Sequence, residues 1–164
     1  MMISSSAISG LLFTLFSSAV LAEPAALWLV TLEHNDGLRL QFQGAELELG
    51  NATFRGIRGA ADLKPGMPLA ILSRHGVAEQ ISLDNEAAST ASHWQRAEAP
   101  LVAVKGQTLH LNRLGTIGFD AATRWLNGGL GDLQAGRQLV LTRDQTGRLT
   151  EILVVNPEDD LASP

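Results

Sequence analysis

Cysteine is absent from all 164 residues. That removes disulfide staples, thiolate metal sites and thiol nucleophiles, and it removes the residue through which a lipid-anchored export signal is acylated. Charge is also scarce, at 18% of residues, with acidic groups in surplus and a formal net charge of −5. Such a balance argues against phosphate backbones and anionic lipid as partners, because both need a net basic surface. Catalytic signatures are missing as well. Gly131-Asp-Leu-Gln-Ala-Gly136 has Walker-like glycine spacing, but Arg137-Gln138 follow where Lys and Ser/Thr are required. Gly129-Leu-Gly131 fails the dinucleotide fingerprint at Gln134, and neither Gly-x-Ser-x-Gly nor His-Glu-x-x-His occurs. Asn51-Ala-Thr53 matches a glycosylation sequon but sits in a repeated Ala-Thr context, and no cofactor is implied.

One absence is local. No charged side chain precedes Glu23, and the stretch from Ile8 to Ala22 is apolar with small residues at its end. Val20 and Ala22 fit the −3 and −1 positions of a signal-peptidase site, so residues 1–22 read as a secretory signal cleaved after Ala22. At about 1.5 Å rise per residue the run is short for a hydrocarbon core of roughly 30 Å, and no second long apolar run follows. The expected location is the bacterial periplasm or outside the cell. Removing 22 of 164 residues leaves 142, room for one ordinary domain or two very small ones.

What the chain does contain is two-residue alternation in short bursts. Leu38-Arg-Leu-Gln-Phe42, Leu47-Glu-Leu49, Leu109-His-Leu111 and Ile152-Leu-Val-Val155 are examples, each bounded by Gly, Asn, Asp or Pro. This is the pattern of short antiparallel strands with one packed face and one wet face. Helical signals are weak: Asn85–Arg96 is Ala-rich, and Arg124-Trp125-Leu126 is long enough for a single turn.

Sliding the chain over itself reveals a repeat. At a shift of 70, Ala52-Thr53 meets Ala122-Thr123, Gly59 meets Gly129, and Asp62-Leu63 meets Asp132-Leu133. Gly66 then meets Gly136 and Leu69 meets Leu139, while a shift of 71 aligns Gly76 with Gly147 and Ile81 with Ile152. The extra residue falls in Arg143–Gly147, where a hairpin tip absorbs it. Each copy reads as a strand with its hairpin partner (28–34 with 37–43; 100–105 with 107–112) and a third strand (45–50; 114–119). A crossover (51–61; 120–131), an Asp-Leu-x-x-Gly corner (62–66; 132–136) and a closing hairpin (67–83; 137–155) complete it. In that corner Asp62 and Asp132 suit an Asx turn onto following N–H groups, and Gly66 and Gly136 suit positive φ. Leu63 and Leu133 would plug a barrel end.

Five short strands with a crossover between the third and fourth is the plan of a small OB-like barrel. The expected fold class is therefore all-β, two tandem five-stranded OB-like small barrels after a cleaved signal peptide. The organisation is repeat 1 at 23–83, a linker at 84–99, repeat 2 at 100–156 and an acidic disordered tail at 157–164. Asp62-Leu-Lys-Pro-Gly66-Met-Pro-Leu69 and Asp132-Leu-Gln-Ala-Gly136-Arg-Gln-Leu139, each followed by a Gly-containing hairpin, resemble an uncharacterised bacterial envelope domain. That family occurs in tandem and carries Asp/Glu-Leu-x-x-Gly-x-x-Val; Leu stands for the Val in both copies here. The resemblance implies a barrel fold and no established activity. The Leu-Lys-Pro-Gly-Met string is also similar to barrel domains of efflux-pump adaptors, whose long coiled hairpins this sequence lacks.

Candidate chemistry divides three ways. Arg55, Arg58, Arg124 and Trp125 fall in the two crossovers, and an Arg–Trp pair on a rigid barrel suits a small anionic or saccharide ligand, or an envelope protein partner. The plainer role for Trp125 is to cap a barrel end. His34, His75, His93 and His110, with Met67, are the inventory for a periplasmic metal carrier, although their positions suit ordinary loop and strand residues. Glu33, Asp36 and Asp120 are the carboxylates available to a small hydrolase. Together the residues favour a non-enzymatic exported binding or scaffolding protein.

Overall fold

The computed structural model describes residues 24–84 and 93–157, so the export signal, the Ala-rich stretch 85–92 and the end of the acidic tail lie outside the described residues. The chain is all-β. Seven strands form the first half: β1 (Ala26–Thr31), β2 (His34–Asn35), β3 (Arg39–Phe42), β4 (Ala45–Glu48), β5 (Thr53–Arg55), β6 (Pro68–Arg74) and β7 (Val77–Leu83). Six form the second: β8 (Trp94–Lys105), β9 (Thr108–Leu111), β10 (Gly115–Gly118), β11 (Arg124–Leu126), β12 (Gln138–Arg143) and β13 (Leu149–Val154). The only helical elements among the described residues are two 3-10 turns, Ala60–Asp62 and Leu130–Asp132.

Alternation sets the strand faces. In β3 and β4, Leu40, Phe42 and Leu47 point inward while Arg39, Gln41, Glu46 and Glu48 face water, and Leu40 lies directly opposite Leu47. The exposed Arg39–Glu46 pair at 3.3 Å adds little, because solvent screens it. β1 differs: both of its faces are buried, which is why it reads as a continuous apolar run. Val30 belongs to a core with Leu40, Phe42, Leu47, Leu69, Ile71 and Ile81. Its neighbour Leu29 points the other way, into a second core with Leu101, Leu109, Ile117, Leu139, Leu141 and Ile152.

The two halves therefore share a wall. β1 pairs antiparallel with β6 and parallel with β8, and β8 pairs antiparallel with β12, giving a continuous order β6-β1-β8-β12. The sheet is mixed and its ladder runs open from β11 to β2 rather than closing on itself. β8 begins at Trp94, so Trp94–Ala99, which reads from sequence as the end of a linker, is strand, paired with β1 over Trp94–Ala97 and with β12 from Arg96 onward. Ala97 and Ala99 are fully buried there. Arg124–Leu126 is likewise a strand, parallel to β13, and not a helical turn.

Pairing recurs between the halves with one offset the sequence conceals. Leu69 faces Leu83 as Leu139 faces Val154, and Ile71 faces Ile81 as Leu141 faces Ile152, so the second hairpin is one residue longer. In the crossovers, however, Phe54 faces Ile81 and Trp125 faces Ile152, which makes Phe54 the counterpart of Trp125 at a shift of 71. The Ala-Thr coincidence at 70 is thus one residue out of structural register. Gly56 and Asn127, at φ 71 and 57, then fall together, and Gly59 and Gly129 restore the shift of 70 at the 3-10 turns.

Both corners hold the same backbone bond: Gly66 N–H donates to Leu32 O and Gly136 N–H to Leu101 O, each at 2.7 Å. Their φ angles of 90 and 87 place both in the region glycine alone adopts freely. Leu63 is buried, and Leu133 is half-buried against the second core. In the second corner the aspartate acts differently from an Asx turn onto following groups, since Asp132 Oδ2 accepts the preceding Gly129 N–H at 2.9 Å.

Candidate functional site

The four residues nominated from sequence do not converge. Arg55 sits on β5 and Arg58 just past the bend that follows it, both exposed. Arg124 on β11 is exposed and reaches Glu151 at 3.9 Å. Trp125, next along the strand, turns to the opposite face, meets Phe119 edge-on at 5.4 Å and packs against the second core. Arg124 and Trp125 are therefore a pair in sequence only. Along the ladder, β5 and β11 are separated by β7, β6, β1, β8, β12 and β13.

A different place collects polar and aromatic groups. Because β6 and β12 run antiparallel to β1 and β8, their hairpin tips lie beside the starts of β1 and β8. The parallel β1–β8 pair, with Leu27 opposite Trp94, brings the two tips to the same end of the wall. Between them is a cleft of about 590 Å³, lined among others by Trp28, Arg74, His75, His93, Trp94 and Asp144. That volume suits a small molecule.

Local sequence shapes both rims. His75-Gly76, at φ 51 and 76, forms a two-residue turn of the type that matches strand twist in hairpins. In the other tip Asp144 Oδ1 accepts the N–H groups of Thr146 and Arg148 at 2.9 and 3.0 Å and the Thr146 hydroxyl at 2.6 Å. The Thr146 hydroxyl, with the loop N–H groups, holds the Asp144 carboxyl below its ordinary value, so it stays ionised.

The two tryptophans of the lining each carry a cation–ring pair. Arg143 lies over the Trp94 ring at 3.8 Å, and Arg96 over Trp28 at 5.6 Å, with Phe42 edge-on to Trp28 at 6.1 Å. Arg96 also donates to Gln43 O at 2.6 Å, tying the second half to the β3–β4 turn of the first.

Behind the cleft, Glu98 closes the seam. The β1–β8 pairing ends at Leu29 and Ala97, leaving the Thr31 N–H without a ladder partner on that side. Glu98 Oε2 accepts it at 3.0 Å, while Oε1 is buried without a hydrogen-bond partner. Burial raises the Glu98 carboxyl from 4.5 to about 7; the Thr31 bond and Arg96 oppose the rise and Glu33 adds to it. A carboxyl whose folded value lies above its unfolded value stabilises most when protonated, and that advantage fades as pH rises through about 7. Glu98→Gln keeps an acceptor for Thr31 but cannot ionise. Urea unfolding should therefore find Glu98→Gln more stable than wild type at pH 8, with the difference vanishing by about pH 4.5. Equal differences at both pH values would refute this account of the seam.

Two of the three carboxylates considered for hydrolysis, Asp36 and Asp120, are engaged separately. Asp36 Oδ1 accepts Leu38 and Arg39 N–H at 2.8 and 2.7 Å, and Asp120 accepts Ala122 N–H and the Arg148 guanidinium, both at 2.8 Å. These bonds hold both carboxyls below their ordinary values. Of the histidines, His75 and His93 reach the cleft, whereas His34 lies on β2 and His110 on β9 beside Thr116. Among the described residues no three His, Asp or Glu side chains form a metal-holding group, and Met67 packs against the first core. Nor, among those residues, is any helix long and apolar enough to cross a membrane.

The cleft escaped sequence reasoning because its two rims are about 70 residues apart and meet only through β1–β8 pairing. The one usable signal was that His75 and the Arg143–Gly147 loop occupy equivalent hairpin tips of a repeat. Comparison with known proteins found no family model, no curated protein and no solved structure that matches the chain.

Proposed function

We propose that this chain is an exported, non-enzymatic binding protein built of two OB-like repeats, which takes a small anionic or saccharide ligand in the cleft between the two closing hairpins. The observation that carries the reading is the convergence of both tips and both seam tryptophans on one cavity. In OB-like barrels the loop between the fourth and fifth strands belongs to the ligand-binding face, and His75-Gly76 and Asp144–Arg148 are those loops on this plan. Export rests on the apolar N-terminal segment ending at Ala22, and a periplasmic setting suits a chain that uses no disulfides. Likeness to the tandem envelope domain supports the barrel plan and adds no activity.

Native mass spectrometry provides the test. The chain would be incubated with the small-molecule fraction of a bacterial envelope extract, as wild type, as His75→Ala/Gln145→Ala, and as Arg124→Ala/Trp125→Phe. Retention of a ligand by wild type and the crossover variant, with loss in the cleft variant, is the expected result. Loss in the crossover variant alone would return the site to the residues nominated from sequence.

A further inference from the structure

Two unmade bonds lie on one face of the seam between the halves. Among the described residues, Arg96 Nε is a buried donor and Glu98 Oε1 a buried acceptor, each without a hydrogen-bond partner. The two residues are second neighbours on β8, so their side chains leave the same face of the strand about 6–7 Å apart, within reach of an arginine. Both side chains nevertheless bond elsewhere. Arg96 Nη2 donates to Gln43 O at 2.6 Å, and Glu98 Oε2 accepts the Thr31 N–H at 3.0 Å.

The partner that Arg96 holds belongs to the other half. Gln43 and Gly44 form the β3–β4 turn, and a Cβ at Gly44 would stand 3.2 Å from Leu153 Cδ2 and 3.6 Å from Arg96 Nη2. The turn therefore rests on β8 and β13, and the Arg96 bond fastens it there.

Which partner Arg96 takes depends on the charge of Glu98. A neutral carboxyl draws a guanidinium no more strongly than a peptide carbonyl does, so the bond to Gln43 O stands. An ionised carboxylate in a buried site demands a counter-charge, and its bond to arginine outcompetes one to a peptide carbonyl. Burial raises the Glu98 carboxyl to about 7; Thr31 and Arg96 oppose the rise, and Glu33, just beyond β1, adds to it. From β13, Glu151 acts on Arg96. The facing residues of β12 are uncharged, with Val140 opposite Glu98 and Thr142 opposite Arg96.

We infer that Arg96 and Glu98 form a proton-operated latch between the two halves. With Glu98 neutral, Arg96 holds the β3–β4 turn against the second half; with Glu98 ionised, the guanidinium swings to Glu98 Oε1 and releases the turn. The switch needs only the loss of one proton to solvent. The folded carboxyl titrates above its unfolded value, so the latch is closed below about pH 7 and opens above it. It stands whether or not the cleft binds a ligand.

Amide exchange of the full chain, corrected for the intrinsic effect of pH, tests the latch on wild type, Glu98→Gln and Arg96→Gln. Thermal midpoints verify that each variant is folded. From about pH 5.5 to about pH 8.5, either side of the Glu98 titration, protection at 42–45 should fall roughly ten- to a hundredfold in wild type, as expected for a lost hydrogen bond to a charged group. Protection at 69–71, in the first core, should fall less, and an equal fall there would mark global opening and overturn the latch. Glu98→Gln should keep the turn protected at both pH values, and Arg96→Gln should leave it unprotected at both. Constant protection in wild type, a fall that survives in Glu98→Gln, or full protection in Arg96→Gln overturns the proposal. Should a variant not fold, wild type alone decides through the Arg96 Nε–Hε proton resonance. That signal should shift with the Glu98 titration as the N–H gains its partner, and a signal that does not move over the same range overturns the latch.

Discussion

Leu29→Ala should destabilise the protein by about 2–5 kcal/mol, and both halves should lose that stability in a single transition. Leu29 is a residue of the first strand, yet it is 2% exposed inside the core of the second half. Its strand neighbours are Ala70 on β6 and Ala97 on β8, both themselves in that core. Truncating the isobutyl side chain to a methyl opens a cavity that alanine neighbours cannot refill, because their side chains are already minimal. Neither half has the size to be robust alone, and the β1–β8 wall gives each a face it cannot otherwise bury. Urea unfolding followed by tryptophan fluorescence and by far-ultraviolet circular dichroism should shift together. Two separated transitions, with only one of them moved, would show that the shared wall does not couple the halves.

Trp94→Ala should cost about 3–5 kcal/mol, an effect that separates strand from connecting segment. A tryptophan in an exposed linker would lose less than about 0.5 kcal/mol on truncation, as surface positions do. Trp94 is instead 4% exposed, packs in the second core, opens β8 and carries Arg143 on its ring at 3.8 Å. Trp94→Phe should recover much of the loss, because volume and ring are partly kept. A measured cost for Trp94→Ala near that of a surface position would contradict the start of β8 at this residue.

The legible part of the fold is the part that local chemistry determines. Arg39–Phe42 and Thr108–Leu111 are the strands β3 and β9 within the alternating runs, while Leu38 stays outside β3 and 77% exposed. Gly66 and Gly136 take the positive φ their motif implies, and the one-residue insertion falls in the β12–β13 tip. What stayed hidden depends on partners distant in sequence. Nothing in Leu27–Leu32 names β8 as its parallel neighbour, although burial of both faces does account for the unbroken apolar run. Trp94–Ala99 reads as a linker because Ala97 and Ala99 fill inward positions after Trp94, and alanine carries little strand signal. Arg96 and Glu98, the polar fastenings of the seam, were lost in the same segment. The crossovers misled for another reason: Ala52-Thr53 and Ala122-Thr123 match as letters, whereas backbone pairing matches Phe54 with Trp125. Strand alternation then sends Arg124 outward and Trp125 inward, so the apparent ligand pair is one solvated cation and one half-buried ring packed against the core.

The candidate site shows the same division. The hairpin tips were visible individually, as a His-Gly turn and a loop holding Asp144, but their meeting required the order β6-β1-β8-β12. Amide hydrogen exchange, with and without the small-molecule fraction of an envelope extract, tests the central claim most directly. Added ligand should slow exchange at 73–76, 93–95 and 144–147 together, leaving 55–58 and 124–127 unchanged. Protection confined to the crossover residues, with the two tips unaffected, would contradict the cleft as the binding site.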